Sequence, residues 1–172
     1  MGAYTASVTA RELLAEPVDA DEGLILDPLR FDGSLVEAEL VESLVHGLEQ
    51  RAVFTFDLRV ALDRHPGNAG VLVANRLSRV EWTVAANVRP RYAWVIHESR
   101  AESDGSALSL ALRTQAGDLV LSCGEARFYV CDGLALRESP PDYVQDDPES
   151  IRQNSVTLDE LLEVRAGSRW PS

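Results

Sequence analysis

The chain has 172 residues, the length of one ordinary domain and enough to bury a sizeable core. Its 28 acidic residues outnumber its 16 basic ones and give a formal net charge of −12. Nucleic acid and anionic membranes are therefore poor candidates as partners. Every basic residue is arginine, and the absence of lysine excludes Schiff-base chemistry, cofactor attachment through lysine and a Walker-type phosphate loop.

The first fifty residues contain two sequence patterns that predict helix and one that predicts a strand. After a small, acidic segment (1–22), in which ARELLAEP (10–17) predicts a short helix ended by Pro17, GLILDPLRF (23–31) is a candidate first strand. From residue 34 to about residue 50 the apolar residues recur with helical spacing, and Ser34 with Glu37 matches a capping box. We predict one long amphipathic helix here.

The spacing then changes to the alternation that is typical of strands. Residues 52–62 and 71–84 alternate, and HPGNAG (65–70) between them is a turn sequence. The clearest strands follow at 92–102, 107–115 and 118–130, joined by the short turns ESDGS and QAGD. These three predict an antiparallel meander.

The chain becomes acidic and proline-rich from residue 132, which predicts an irregular tail to residue 172. Within this tail, SVTLDELLEV (155–164) predicts a short helix near 157–164, capped by Thr157 with Glu160 three residues on. The helix either docks on the domain or binds a partner. The predicted architecture is α+β: a domain over 23–131 in which five to six antiparallel strands wrap around one long helix.

This order of elements resembles the hotdog fold. The segments DGSLVEAELV (32–41), 71–105 and ALSLALRTQAGDLVLSCGEARFYV (107–130) are similar to the C-terminal hotdog of polyketide synthase dehydratase domains. The resemblance implies a dehydratase acting on β-hydroxyacyl thioesters in polyketide or fatty-acid biosynthesis. It places Glu37 at the position of the family's catalytic acid, although Val41 stands where the family has Gln or His. Burial beside a pocket would raise the pKa of such an acid and let it donate a proton.

Other candidates for catalytic acid or base come from the remaining motifs. Glu42 and His46 have the E-x-x-x-H spacing of one helix face. His65 lies in Arg-His-Pro-Gly-Asn (64–68), which resembles the His loop of bacterial β-hydroxyacyl carrier-protein dehydratases, and His97 lies on a predicted strand. Each has a structural alternative: Glu37 as the second half of the capping box, Glu42 and His46 as a solvated face, and the other two histidines as ordinary turn and strand residues.

Candidate substrate-binding residues are Arg89 and Arg91, which could meet the phosphate of a carrier arm or of coenzyme A, or simply be solvated. The aromatic side chains Trp82, Tyr92 and Trp94 are expected in the core or in a pocket wall. No metal-ligand spacing is present among the three histidines and two cysteines, so we predict no metal and no cofactor. The cysteines predict reduced thiols in a cytoplasmic protein.

Three functions stay open. The first is the dehydratase, alone or with a second hotdog subunit that supplies the base, acting on an acyl carrier protein or coenzyme A thioester. The second is a non-catalytic hotdog partner or acyl-binding protein. The third is an acyl thioesterase or a β-barrel cyclase of a natural-product pathway, the barrel requiring strands in the first third of the chain. Hotdog subunits pair through their sheets, which predicts a homodimer or heterodimer. The arginine-only base usage suggests GC-rich coding, as in actinobacteria.

Overall fold

A computed structural model describes residues 7–20, 23–88 and 91–171. Within these residues the chain is mainly antiparallel strand, with two helices of six residues each. The strands are β1 (Ser7–Val8), β2 (Glu39–His46), β3 (Arg51–Asp57), β4 (Ala69–Val84), β5 (Trp94–Ser103), β6 (Leu108–Thr114), β7 (Gly117–Gly133) and β8 (Leu162–Trp170). The helices are α1 (Ala10–Ala15) and α2 (Pro148–Gln153).

Six of the strands close into a ring in the order β7-β4-β3-β2-β5-β6, with β6 returning to β7. Strand β7 joins the two halves of the ring, because β4 pairs along most of its length while β6 pairs with residues 117–123 and β8 with residues 126–133. The contact between β2 and β5 is short and involves only Glu39 and Leu40 of β2. Strands β8 and β1 extend the sheet outward from β7.

The main core fills the inside of the ring. Successive side chains of a strand point to opposite faces, so the ring strands supply residues to this core from one face only. Phe56 of β3 and Phe128 of β7 are fully buried there, with ring centroids 5.9 Å apart. Leucines of β6 and β7 complete the packing. The buried aromatic pair links strands far apart in the sequence.

A second core covers the outer face of β3, β4 and β7. Helix α1 begins with a capping box between Thr9 and Glu12 and buries Leu13 against this face. Val53, Tyr129 and Leu162, all at most 1% exposed, belong to the same cluster. Both faces of β3 are therefore covered, which explains why residues 52–58 are all buried.

The predicted long helix at residues 34–50 is wrong, and with it the α+β arrangement of a hotdog-like sheet wrapped around one helix. Residues 32–37 form turns, and β2 follows from Glu39 to His46. Glu37 and Gln50 have φ of 65° and 52°, a left-handed backbone that cannot continue a right-handed helix. The capping box is absent too, because the Ser34 hydroxyl donates to the Phe31 carbonyl.

A β-bulge explains why this strand resembles a helix in the sequence. The register between β2 and β3 shifts between Leu40 and Glu42, so that Leu40 lies opposite Phe56 and Ser43 opposite Phe54. Both positions therefore face the inside of the ring although they are three residues apart. Val41 and Leu44, also three residues apart, both pack against the outer core, so the apolar residues of the bulged strand have the spacing expected of a helix face.

The meander prediction is confirmed: β5, β6 and β7 lie at the predicted positions and pair in sequence order. The short helix in ARELLAEP is also confirmed as α1. The candidate strand at 23–31 is wrong, since residues 25–30 form turns except at Asp27.

The predicted helix near 157–164 is wrong. Residues 158 and 159 form a turn and the chain continues as β8, which pairs with β7. The helix of this region is α2, at 148–153, so much of the predicted irregular tail is a regular part of the fold. No helix in the described part of the chain is long and apolar enough to cross a membrane.

Candidate functional site

Glu39 is the first residue of β2 and lies where two strands meet it. Its partner across the β2–β3 ladder is Asp57, and its partner across the short β2–β5 contact is Val95. The residue is only 9% exposed. A carboxyl group therefore lies buried at the short β2–β5 contact, where only two residue pairs close the ring.

An ion pair lies behind Glu39. Arg59 Nε donates to Asp57 Oδ1 at 2.9 Å and to Oδ2 at 3.1 Å, with the two side chains 3% and 0% exposed. The same guanidinium donates to the Asn154 carbonyl at 2.7 Å and to Asn154 Oδ1 at 2.8 Å, and it reaches the carbonyls of Arg137 and Ser139. Arg59 thereby ties the C-terminal part of the chain to the end of β3.

That C-terminal part brings Tyr143 over Glu39. Neither the Tyr143 hydroxyl nor Glu39 Oε2 makes a hydrogen bond of ordinary geometry with any described residue, although both atoms are buried. Burial, reinforced by the negative charge of Asp57, raises the pKa of Glu39 to about 7, while Arg59 and Tyr143 oppose the shift. Burial and nearby Glu39 also raise the pKa of the Tyr143 phenol. Glu39 is thus a carboxyl group poised to change charge near neutral pH.

A cleft of about 500 Å³ opens beside this acid. Glu39 and Tyr143 lie in its wall, together with the Arg91 and Gln115 side chains. The Gln115 carboxamide oxygen accepts from the Val95 amide at 3.2 Å, which fixes the side chain against β5. Asp142 also lines the cleft, which therefore carries two acids, a phenol, an amide and a guanidinium around one space.

An aromatic groove of about 320 Å³ adjoins the cleft, and Arg91 and Ala93 line both. Trp82 and Trp94 meet edge to face in the groove wall, with ring centroids 5.3 Å apart, and Tyr92 lies beside them. Trp82 and Tyr92 are 37% and 48% exposed, so their faces remain accessible. Four predicted substrate-binding residues thus lie together in one groove, while Arg89 lies outside the described residues.

The predicted catalytic residues do not come together. Glu37 is exposed on a turn, where its amide donates to the Ile96 carbonyl at 2.8 Å. His65 is half-buried with Nε2 3.0 Å from the Ser34 carbonyl oxygen, and burial lowers its pKa. His97 is exposed on β5. Neither histidine lines the cleft or the groove.

Glu42 and His46 were predicted to share one helix face, but on a strand they lie about 13 Å apart. Both are exposed. Glu42 Oε2 accepts from the Leu158 amide at 2.8 Å, and Glu42 lines the aromatic groove. Its role in the fold is to tie the turn before β8 to β2.

Sequence patterns do not point to Glu39, Tyr143 or the Asp57–Arg59 pair. Glu39 falls within the incorrectly predicted helix at 34–50, and Tyr143 falls within the predicted irregular tail. The signal for Asp57 was its position near the end of an otherwise apolar strand, with Arg59 two residues on. A charge pair next to a fully apolar run indicates a buried ion pair when the strand is covered on both faces.

The described residues contain no cluster of three or more His, Cys, Asp or Glu side chains that could hold a metal ion. Cys123 and Cys131 are both free and buried. Burial raises their thiol pKa values to about 11 and about 12, so neither is an activated nucleophile.

Comparison with known proteins gives no family. No family model matches the chain, and no curated protein matches it. One similar solved structure is an uncharacterized protein from Neisseria gonorrhoeae, with 12% sequence identity and a TM-score of 0.42 over 54% of this chain and 90% of that one.

Proposed function

We propose that the protein binds a small amphipathic molecule of the acyl or aryl carboxylate type across the aromatic groove and the adjoining cleft. The observation that carries this proposal is the position of Arg91, which borders both spaces. On one side lie exposed aromatic rings, and on the other lies the buried carboxyl group of Glu39. One ligand that spans the two spaces meets an apolar wall, a cation and a proton donor or acceptor.

Arg91 supplies the anchor for an anionic group. It is exposed and makes no ion pair with another described residue. A guanidinium binds a carboxylate or a phosphate through paired N–H donors. In a chain of net charge −12, a free arginine beside an apolar groove favours a ligand that brings its own negative group. Coenzyme A or an acyl carrier protein as the carrier of that ligand stays a prediction.

The groove wall suits the apolar part of the ligand. Trp82, Trp94 and Tyr92 present flat aromatic surface, which favours binding through burial of apolar area from water. The edge-to-face packing of the two tryptophans holds the wall in place before a ligand arrives. A preformed apolar wall lowers the entropy cost of binding.

A second candidate function, acid–base catalysis on the bound ligand, is favoured by the position of Glu39, a buried carboxyl group that lines the cleft and whose burial raises its pKa to about 7. A carboxyl group that is partly protonated at neutral pH can both donate and accept a proton. The dehydratase reaction itself stays a prediction, and Glu37, the acid implied by the hotdog resemblance, does not line the cleft. Within the enzyme hypothesis the acid is Glu39.

The binding proposal is tested with octanoate and 4-phenylbutyrate as probes, using the quenching of tryptophan fluorescence as the readout. We expect saturable quenching of the wild-type protein by both probes. The Arg91→Gln variant should bind each probe about tenfold more weakly, because a charge-assisted hydrogen bond is lost. Octanoyl-coenzyme A in the same assay tests whether a thioester carrier strengthens binding.

Arg152→Gln is the matched control, because Arg152 is an exposed arginine on α2 that lines neither space. It should bind both probes as the wild type does. An absence of saturable quenching by either probe contradicts the proposal, as does equal weakening by the two arginine substitutions.

A further inference from the structure

The second half of β4 has an open edge. Residues 69–75 of β4 pair with β3 on one side and with β7 on the other, whereas residues 77–84 pair with β7 alone. At the start of this segment the Leu77 amide donates to the Gln50 carbonyl, and among the described residues no strand lies beside the remainder. Alternate residues of an unpaired edge direct N–H and C=O groups outward, ready to pair with another strand.

The fold covers a comparable edge elsewhere. Beyond its short contact with β2, the outer edge of β5 is closed by the turns at 31–38: the Gly33 amide donates to the Ser99 carbonyl, and the Glu37 amide donates to the Ile96 carbonyl, each at 2.8 Å. Within the described chain, the β4 segment has no equivalent cover. The β4 segment is therefore an uncovered edge, as are residues 42–46 of β2, which pair with β3 alone.

The side chains of this edge do not prevent pairing. Natural edges are commonly protected by proline, by lysine or by a bulge in their middle. Residues 77–84 contain neither proline nor lysine, and the register shift lies at their start, between Leu77 and Arg79. The apolar Trp82 and Val84 are 37% and 55% exposed. The two charges, Arg79 and Glu81, pair with each other, the Arg79 Nε donating to Glu81 Oε2 at 3.0 Å.

We propose that this edge pairs with the same edge of a second copy of the chain, antiparallel and centred on Val80. Charge complementarity between Arg79 and Glu81 favours this register. In this register Arg79 of each copy lies opposite Glu81 of the other, so that two oppositely charged cross-strand pairs form at once. Shifting the centre by one residue to Glu81 places like charges opposite each other. The four strands β5, β6, β7 and β4 then continue into the same four strands of the second copy.

Strand pairing uses the backbone of β4, but the side chains of Trp82 and Val84 on this edge also line the aromatic groove. An interface built on about seven edge residues is small, at the low end of specific interfaces, so we expect a dimer that dissociates on dilution. Arg79 and Glu81 line neither the groove nor the cleft. Octanoate binding by monomeric Arg79→Glu protein therefore tests the ligand proposal separately from the dimer.

Sedimentation velocity over a concentration series is the test. We expect wild-type protein to shift from monomer to dimer, and Arg79→Glu and Glu81→Arg each to raise the dissociation constant by about tenfold or more, because like charges then face each other twice. The double swap, Arg79→Glu with Glu81→Arg, should restore the dimer. Restoration by the swap separates a cross-strand charge pair from a general loss of stability.

Arg100→Glu is the matched control, because Arg100 pairs with Glu98 two residues away on β5, where the turns cover the edge. It should dimerise like the wild type. Both charges of the β4 edge are about half exposed, so their substitution leaves the fold intact, which circular dichroism checks. A monomer at every concentration overturns the proposal, and so does a dimer that is insensitive to either single substitution or not restored by the swap.

Discussion

At the scale of single residues, the molecule keeps two carboxyl groups and one guanidinium next to one another in a largely buried place. Asp57 has its full complement of partners in Arg59, while one oxygen of Glu39 has no hydrogen-bond partner among the described residues. Removing water from a charged group costs free energy unless partners replace that water. Burial of Glu39, with one oxygen lacking a partner among the described residues, accounts for its raised pKa.

This difference makes a prediction for stability against pH. The pKa of Glu39 is about 7 in the folded state against an ordinary 4.5, so its favourable contribution is complete below pH 4.5 and is lost as the pH rises through 7. Glu39→Gln removes that dependence. Between about pH 4 and pH 8, the free energy of unfolding of the wild type should fall by about 2 kcal/mol more than that of the variant, allowing for partial solvent screening.

Urea unfolding at a series of pH values measures this difference. Glu102→Gln, at an exposed position of β5, serves as the control and should follow the wild-type curve. Parallel curves for wild type and Glu39→Gln would show that the carboxyl group titrates as an ordinary exposed acid.

At the scale of elements, the tight turn between β6 and β7 shows how strongly the backbone restricts the sequence. Gly117 has φ of 150°, and a Cβ atom there would lie 2.0 Å from the Thr83 carbonyl oxygen of β4. The Thr114 hydroxyl closes the turn by donating to the Gly117 carbonyl at 2.7 Å. Glycine is therefore needed because a third strand passes directly against the turn.

We accordingly expect Gly117→Ala to destabilise the fold by about 3 kcal/mol, since both backbone strain and a backbone clash oppose it. Gly47→Ala is the matched control: no atom lies within 4 Å of its would-be Cβ, and it should change stability by less than about 1 kcal/mol. Thermal unfolding of both variants measures the difference. Equal melting temperatures of the two variants would mean that β4 shifts to accommodate the new Cβ atom without loss of stability.

The elements also show what the sequence can and cannot predict. The meander of β5, β6 and β7 was predicted because its strands alternate over most of their length and its turns contain glycine. Strand β2 was mistaken for a helix because, with its bulge, the apolar Val41 and Leu44 both pack against the outer core at helical spacing. The segment 157–164, which leads into β8, was mistaken for a helix because Leu158, Leu161, Leu162 and Val164 give it an apolar side. Local periodicity does not reveal a bulge, which depends on the partner strand.

The site was beyond prediction for a related reason. Trp82, Tyr92, Trp94 and Arg91 were predicted as candidates for binding, but nothing in their spacing shows that they meet in one groove. Glu39 and Tyr143 are more than one hundred residues apart in the sequence and meet because Arg59 ties the C-terminal part of the chain to β3. This contact depends on how the ring closes, which the sequence of a single segment does not indicate.

At the scale of the whole molecule, the last third of the chain completes the fold. Leu162 at the start of β8 is fully buried in the outer core with Leu13 of α1, so residues from both ends of the chain share one cluster. The neighbouring Leu161 is 52% exposed. The two adjacent leucines therefore lie in different environments, one in the core and one half exposed.

Leu162→Ala should cost about 3 kcal/mol, because a buried leucine leaves a cavity when truncated. Leu161→Ala should cost less than about 0.5 kcal/mol, since its side chain is mostly in water already. Guanidinium unfolding of the two variants checks both values. Similar losses at both positions would fit the amphipathic helix predicted from the sequence and not the strand.

The central position of β7 has a consequence for how the chain acquires its structure. Strands β2 to β4 can pair locally, but β4 finds its second partner only when residues 117–133 arrive, and β8 must wait for the same strand. Chains dominated by pairings between distant segments fold slowly, on a timescale of about milliseconds to seconds. During that interval the unfinished sheet exposes several unpaired strands to neighbouring molecules, which makes folding at high concentration the step most prone to aggregation.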